Sequence, residues 1–400
     1  MSAHREWLLV RPRADWTVGG VTYPADALLA TRFDDFLAGR REFTVLFAPD
    51  ASTAFAGCRW TRDHLVVETL ADVRARIEVL TPGSWELASR TTSDDHVGVV
   101  DTEPDTSDDV LVSATGFLRP ETLSLGDRVL KRAPSFFDAA GMTVEQRFAV
   151  SDDGTRVPYF LVGRPDATGP TWLTGYGGFE IPVTPAYDGV VGRTWLARGG
   201  RYAVANIRGG GEYGPRWHRA ARRELRPRAF EDFAAVARDL VDTGVTTPAR
   251  LGITGGSNGG LLMGVMLTRY PELFGAIVAS VPLLDMRRFH RLLAGASWMG
   301  EYGDPDEPAD WAYLERFSPY HNVRPRRPYP PVLFVTSTRD DRVHPGHARK
   351  MVARLREHGY EVGLYENVEG GHGAAADNAQ RAYVQALKVD FLWRRLGVTV

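Results

Sequence analysis

Arg250-Leu251-Gly252-Ile253-Thr254-Gly255-Gly256-Ser257-Asn258-Gly259-Gly260-Leu261-Leu262-Met263-Gly264-Val265-Met266 is the stretch whose reading decides the fold. The first five residues are short and β-rich, as buried parallel strands are, and the last six open a run of helical spacing. Between them lies Gly-x-Ser-x-Gly. A strand that turns straight into a helix around a serine needs glycine beside it, because the turn is too tight for side chains, and it lifts the hydroxyl above the sheet at a helix N-terminus. A glycine-rich structural turn shares the pattern, but the strand before and the helix after it single out Ser257 as a nucleophile.

Working outward, short apolar runs at residues 171–174, 202–207, 250–254, 276–280, 332–336 and 363–368 alternate with helical spacing at 230–241, 261–270, 347–358 and 379–396. That alternation predicts an α/β domain with a mostly parallel sheet, its functional residues gathered in loops at the carboxyl ends of the strands. A hairpin opens it, with strands at 146–150 and 156–162 around the turn Ser151-Asp152-Asp153-Gly154-Thr155. We place this domain at residues 139–400. Residues 1–138 read differently, as short β segments such as Glu42-Phe43-Thr44-Val45-Leu46-Phe47 and His64-Leu65-Val66-Val67-Glu68-Thr69-Leu70, with acidic and Gly/Pro/Ser/Thr-rich connections. They predict an all-β sandwich, barrel or propeller. At roughly 40–50 residues per blade the region holds about three blades, fewer than the roughly four of a closed propeller.

A serine hydroxyl needs a base, and the base needs an orienting carboxylate, in the chain order Ser, Asp, His. After the strand Pro331-Val332-Leu333-Phe334-Val335-Thr336 come Asp340 and Asp341, and pattern alone does not choose between them. Further on, Glu369-Gly370-Gly371-His372-Gly373 places an imidazole on a glycine-flanked loop after the last strand, which makes His372 the general base. His344 and His347 read as the start of a surface helix. Stabilising the developing oxyanion requires donors aimed at it. One is the backbone N–H of Asn258, directly after the nucleophile. The loop after an early strand, Thr174-Gly175-Tyr176-Gly177-Gly178-Phe179, offers a tyrosine hydroxyl as the second. Taken by itself, a tyrosine at a strand end reads as packing.

Composition narrows the classes. The 48 basic residues stand against 50 acidic ones, for a net charge of −2, and 44% of positions are hydrophobic, including 10 Trp, 14 Tyr and 18 Phe. A nucleic-acid-binding chain shows a broad basic excess, and a disordered one lacks this aromatic content. A single cysteine, Cys58, excludes an intramolecular disulfide framework, and with scattered histidines it gives no zinc spacing, so no metal or cofactor is expected. Met1-Ser2-Ala3-His4-Arg5-Glu6-Trp7 lacks the apolar stretch of a secretory signal, and no window of about 18 apolar residues suggests a membrane span, which predicts a cytoplasmic protein. The run Arg219-Ala220-Ala221-Arg222-Arg223-Glu224-Leu225-Arg226-Pro227-Arg228 reads as a solvated surface.

Gly255-Gly256-Ser257-Asn258-Gly259-Gly260, with Tyr176-Gly177-Gly178-Phe179, Asn206-Ile207-Arg208-Gly209-Gly210-Gly211-Glu212-Tyr213-Gly214 and Asp340-Asp341-Arg342-Val343, resembles the prolyl oligopeptidase family from about residue 140 to the C-terminus. The resemblance implies an α/β-hydrolase catalytic domain combined with a β-propeller. It further implies Ser257 as nucleophile, Asp340 as triad acid, His372 as base, and Tyr176 as side-chain oxyanion donor beside the Asn258 amide. Asn258 is similar to the prolyl endopeptidase type. Gly295-Ala296-Ser297-Trp298-Met299-Gly300-Glu301-Tyr302-Gly303 matches the segment in which a tryptophan stacks on the substrate proline ring, which makes Trp298 the pocket floor, with Phe179, Val343 and Tyr302 lining it. Arg342 matches the arginine that hydrogen-bonds a substrate carbonyl. Residues 1–138 are similar to the last part of the family's propeller, including Asp15-Trp16-Thr17-Val18-Gly19-Gly20 and Phe43-Thr44-Val45-Leu46-Phe47, so the β region is expected to be a partial propeller lacking most blades.

The reading that follows is a serine peptidase cleaving short peptides after proline through an acyl-enzyme. Two rivals stand beside it: an esterase with an open, promiscuous site, and a truncated, inactive interaction module. A partial propeller leaves strand edges open, which predicts cover by a partner or a second copy of the chain.

Overall fold

The computed structural model describes residues 1–397, and these divide into two compact units. Unit one comprises Met1–Ser135 with Thr184–Asp188 and Gly211–Trp217; unit two comprises the rest.

Unit one is built from three four-stranded antiparallel sheets and one extra hairpin. The second sheet, from Thr53–Trp60 to Leu87–Ser93, and the third, from His96–Thr102 to Arg128–Arg132, are meanders whose neighbours in space are neighbours in sequence. Each has the size and strand number of one propeller blade. Tight turns set the registers: Gly19 and Gly20, at φ 60° and 78°, close the hairpin of Trp16–Val18 with Val21–Tyr23. Two successive residues at positive φ match the right-handed twist of the flanking strands, and glycine takes that conformation without steric cost. Leu9, Leu28 and Ala30 of the first sheet pack against Leu65, Val67 and Leu80 of the second. A helix that the β-rich pattern does not predict, Phe33–Leu37, is five residues long and buries none of them.

Unit two holds an eight-stranded sheet. In chain order its strands are β1 (Thr143–Val150), β2 (Arg156–Gly163), β3 (Thr171–Gly175), β4 (Arg201–Ala205), β5 (Leu251–Gly256), β6 (Ala276–Ser280), β7 (Val332–Ser337) and β8 (Val362–Asn367). Their spatial order is β1-β2-β4-β3-β5-β6-β7-β8. The first two are antiparallel, as the hairpin pattern predicts, and β3 to β8 run parallel. This is the α/β-hydrolase arrangement. The order reverses around β3: the chain leaves it on one side to form β4 and returns on the other to form β5. Loops leaving β3 and β5 therefore part in opposite directions and open a crevice at the carboxyl ends of the sheet.

Helices Pro227–Asp242, Asn258–Arg269, Gly346–Glu357 and Asn378–Arg395 stand where helical spacing predicts them, with ends shifted by up to three residues. Asn258–Arg269 is buried from Asn258 to Thr268, so it has no solvent face and is a central element of the core. A helix at Pro308–Phe317 escapes the sequence reading; Pro308 starts it and only Leu314 and Phe317 are buried, too few for a clear period. One expectation is corrected here. His347 does not start a surface helix but is 2% exposed, with Nδ1 accepting the backbone N–H groups of Asp285 (3.0 Å) and Leu284 (3.3 Å). Burial pushes its pKa down to about 4, so the imidazole stays neutral.

Candidate active site

Ser257 occupies the single residue between β5 and the helix Asn258–Arg269, at φ 58° and ψ −116°. A non-glycine residue held there costs on the order of 1–3 kcal/mol, and such strain persists only where the surroundings over-determine it. Two contacts do so: the Ser257 N–H donates to the Ser280 carbonyl on β6 (3.0 Å), and its own carbonyl accepts the N–H of Leu261 (3.1 Å). Glycine is required beside it. A Cβ on Gly255 would lie 2.3 Å from the Gly259 carbonyl oxygen, and one on Gly260 would lie 2.6 Å from Pro282 Cα.

The loop after β3 meets this turn through Asn258. Its side-chain amide donates to the Tyr176 carbonyl (2.7 Å), while its Oδ1 accepts from the Tyr302 hydroxyl (2.7 Å) and from the Arg226 guanidinium. Arg226 also pairs with Glu301 (3.0 Å), and Glu301 in turn accepts the N–H of Phe179 (3.0 Å) and lies 2.7 Å from His218 Nε2. Arg226 is 1% exposed and Glu301 5%. Burial by itself pushes the Glu301 carboxyl up, but His218, the Arg226 charge and the Phe179 N–H outweigh it and hold the group below its ordinary value. The network fixes the loop carrying Tyr176 at both ends, at its own carbonyl and at the Phe179 amide. Burial raises the Tyr176 hydroxyl pKa, so the group stays a donor; it faces the Ser257 side chain.

A cavity of about 220 Å³ adjoins the serine turn, lined by Ser257, Asn258, Tyr176, Phe179, Trp298, Tyr302, Arg342 and Val343, together with Ile181, Leu283 and Ser297. The Phe179 and Tyr302 rings meet edge to face, with centroids 5.7 Å apart. Eight residues singled out in the sequence thus share one cavity, and Ile181 and Leu283 are additions that no motif marks.

Of the two carboxylates that pattern leaves open, Asp340 is buried and Asp341 exposed. His372 Nδ1 lies 2.8 Å from Asp340 Oδ2 and 2.9 Å from Oδ1. Asp340 Oδ1 also accepts the N–H groups of Arg342 and Val343, both at 2.9 Å, so the acid is tied to the segment that lines the cavity. The histidine loop is stapled at its base. Asn367 Oδ1 accepts the N–H groups of Glu369 (2.9 Å) and Gly370 (2.6 Å), and the Ser337 hydroxyl donates to the Gly370 carbonyl. The structure joins Asp340 to His372, and brings Ser257, Asn258 and Tyr176 together at one cavity. It makes no hydrogen bond between His372 and Ser257, and His372 does not line the cavity.

Sequence reading misses the buried network. Arg226 was expected on a solvated arginine-rich surface; instead it precedes the helix Pro227–Asp242 and turns inward to Glu301, with its guanidinium 5.3 Å from the Tyr302 ring centroid. Glu301 lies inside the segment quoted for Trp298, and its placement two residues before Gly303 in an otherwise apolar stretch is the signal available. A cluster of His290, Asp304 and Asp306 could offer metal ligands, but Asp306 already pairs with Arg291 (2.8 Å) and His290 (2.9 Å). Among the described residues no helix is long and apolar enough to cross a membrane.

A sequence profile of the prolyl oligopeptidase family matches residues 191–399. An uncharacterized peptidase of Sinorhizobium fredii is 44% identical over 96% of this chain and 55% of its own length. The prolyl endopeptidase of Elizabethkingia miricola is 34% identical over 73% of this chain and 43% of its own. Among solved structures, a post-proline cleaving enzyme from Rickettsia typhi superposes with a TM-score of 0.90 at 32% identity, covering 100% of this chain and 60% of that one. The chain spans about half the length of the curated relatives it matches. With two thirds and more of its residues aligned to such relatives, and the strand order and strained serine turn in place, the chain belongs to the prolyl oligopeptidase family.

Proposed function

We propose that this chain carries the catalytic site of a serine peptidase that hydrolyses short peptides on the carboxyl side of proline, with residues 139–400 as the peptidase domain and residues 1–138 as the partial propeller. The observation that carries the reading is the cavity beside Ser257: a serine turn, two oxyanion donors and an aromatic wall of Phe179, Trp298 and Tyr302 in one space. A flat aromatic face suits a rigid pyrrolidine ring, contributing apolar burial without demanding a polar partner. Arg342 lines the same space, and in this reading its guanidinium donates charge-assisted hydrogen bonds to a peptide carbonyl.

In this reading the Ser257 hydroxyl attacks the carbonyl carbon of the proline residue while His372 Nε2 takes its proton, and the Nδ1–H donates to Asp340, which holds the ring and offsets its charge. The oxyanion accepts from the Asn258 N–H and the Tyr176 hydroxyl. Collapse expels the amine, which leaves with the proton from His372, and the acyl group stays on Ser257 until a water deprotonated by His372 releases the acid. Attack requires His372 to close on Ser257; catalytic hydrogen bonds commonly tighten only when substrate is bound.

Hydrolysis of a blocked Gly-Pro fluorogenic amide and of a p-nitrophenyl ester, by the chain and by Ser257→Ala, tests this. Amide cleavage abolished in Ser257→Ala is the expected result. Ester turnover without amide turnover would replace the reading with an esterase, and failure to react with a fluorophosphonate probe would replace it with an inactive interaction module.

A further inference from the structure

The helix Asn258–Arg269 carries Ser257 at its start, and its far end, about 18 Å away at 1.5 Å per residue, borders a second cleft. This cleft has a volume of about 600 Å³. Four arginines line it, Arg269, Arg316, Arg324 and Arg327, against one carboxylate, Glu231. In a chain with 48 basic and 50 acidic residues, four cations to one anion in a single concavity is a local departure from balance. Among the described residues none of the four is in an ion pair. Arg327 donates to the Arg269 carbonyl (2.9 Å), and Arg324 reaches only the His321 carbonyl and the Asn322 side chain. Some arginines of the same unit are matched: Arg208 meets Asp232 and Asp153, and Arg226 meets Glu301. Four like charges held together with a single counter-charge, Glu231, repel, so the arrangement is relieved by an anion. Pro227, the first residue of the 16-residue helix Pro227–Asp242, adds the positive end of a helix dipole to the same cleft.

We propose that this cleft binds an oligophosphate, a linear anion carrying three or more negative charges, either free or as the phosphate chain of a nucleoside triphosphate. Four arginines less one glutamate leave three positive charges to match. The volume falls within the range of small-ligand sites and exceeds what one phosphate fills. Guanidinium forks present paired N–H donors that fit phosphate oxygens. No aromatic side chain lines the cleft, so the phosphate chain and not a stacked base is the recognised part.

Calorimetric titration of the purified chain with tripolyphosphate, ATP and sulfate at matched ionic strength tests the proposal. The expected result is one-to-one binding of tripolyphosphate and ATP with similar affinity, and no comparable binding of sulfate. Arg316 and Arg324 are exposed, so Arg316→Gln with Arg324→Gln is expected to fold normally, checked by an unchanged Tm without ligand, and to weaken binding by about tenfold or more. Should that pair fail to fold, Arg316→Gln alone serves, with a smaller loss expected in the same direction. No binding of tripolyphosphate, sulfate binding as tightly, ATP preferred more than tenfold, or affinity unchanged in the folded variants would each overturn the proposal.

Discussion

The side-chain amide of Asn258 donates to the main-chain carbonyl of Tyr176 across 2.7 Å, so the residue directly after Ser257 also holds the loop that carries the Tyr176 hydroxyl. Two groups proposed to act on one oxyanion are thereby fixed to each other, from strands β5 and β3.

Asn258→Ala keeps the backbone N–H and removes this tie. It also leaves the Tyr302 hydroxyl and Arg226 without their shared acceptor. We expect kcat on the Gly-Pro amide to fall about 10- to 100-fold, from a loop misplaced by a fraction of an ångström, with KM changing less. A loss confined to KM would show that the tie serves binding and not the oxyanion.

Tyr176→Phe deletes one hydroxyl and little volume. On the proposed role, kcat falls about 10²- to 10³-fold, the usual effect of removing one oxyanion donor, while thermal stability holds. Because burial raises the Tyr176 pKa, the wild-type hydroxyl stays protonated across the neutral range, and this donor contributes no limb to the pH profile there. An activity within threefold of wild type would remove Tyr176 from the mechanism.

Glu301→Gln neutralises one side of a buried pair and leaves Arg226 charged at 1% exposure. Breaking such a pair costs on the order of 3–5 kcal/mol, which urea denaturation would read as a lower midpoint. Replacing both partners, with Arg226→Met and Glu301→Met, is expected to restore part of the stability but not kcat, since the Phe179 N–H loses its acceptor and Asn258 Oδ1 loses one of its two donors. The wild-type pair has a pH signature as well. Glu301 is held below its ordinary value, so its contribution is present above about pH 4.5 and is lost as pH falls through the folded pKa.

His347 adds a second, higher window. Its pKa is about 4 when folded against 6.5 ordinarily, so the unfolded chain binds a proton more readily between those values. Stability is therefore present above about pH 6.5 and declines as pH falls towards 4, by about 3 kcal/mol in all. Tm measured from pH 7.5 to 4 should show this decline. In His347→Gln, which keeps an acceptor for Asp285 and Leu284, the slope above pH 5 should flatten; an unchanged slope would assign the effect to other groups.

Much of the site is legible in the chain because its chemistry is local. Ser257 and Asn258 are read from one strand, turn and helix, and the glycines around them are fixed by clashes within a few residues, such as that of Gly255 with Gly259. Strand and helix alternation, carried by apolar periodicity, places β3 to β8 within three residues of their ends. Residues that act through distant partners are not legible this way. Nothing near Arg226 in the sequence separates it from Arg222 or Arg228, which are not buried; its burial depends on Glu301, 75 positions away. His347 likewise reads as the start of an amphipathic helix, and only the backbone of Leu284 and Asp285 makes it an acceptor inside the core.

Sequence by itself therefore determined the strand-turn-helix at Ser257, the α/β alternation and the blade-sized β segments, because backbone sterics and hydrophobic period act over a few residues. Tertiary structure alone decided that an ion pair of Arg226 and Glu301 underlies the Tyr176 loop and that four arginines without ion pairs share one cleft, and it sets Asp340, which the family resemblance implies and residue pattern leaves open against Asp341, beside His372. Each of these depends on which side chains the packing of distant segments brings together, and that is a property of the packed chain, not of any one segment.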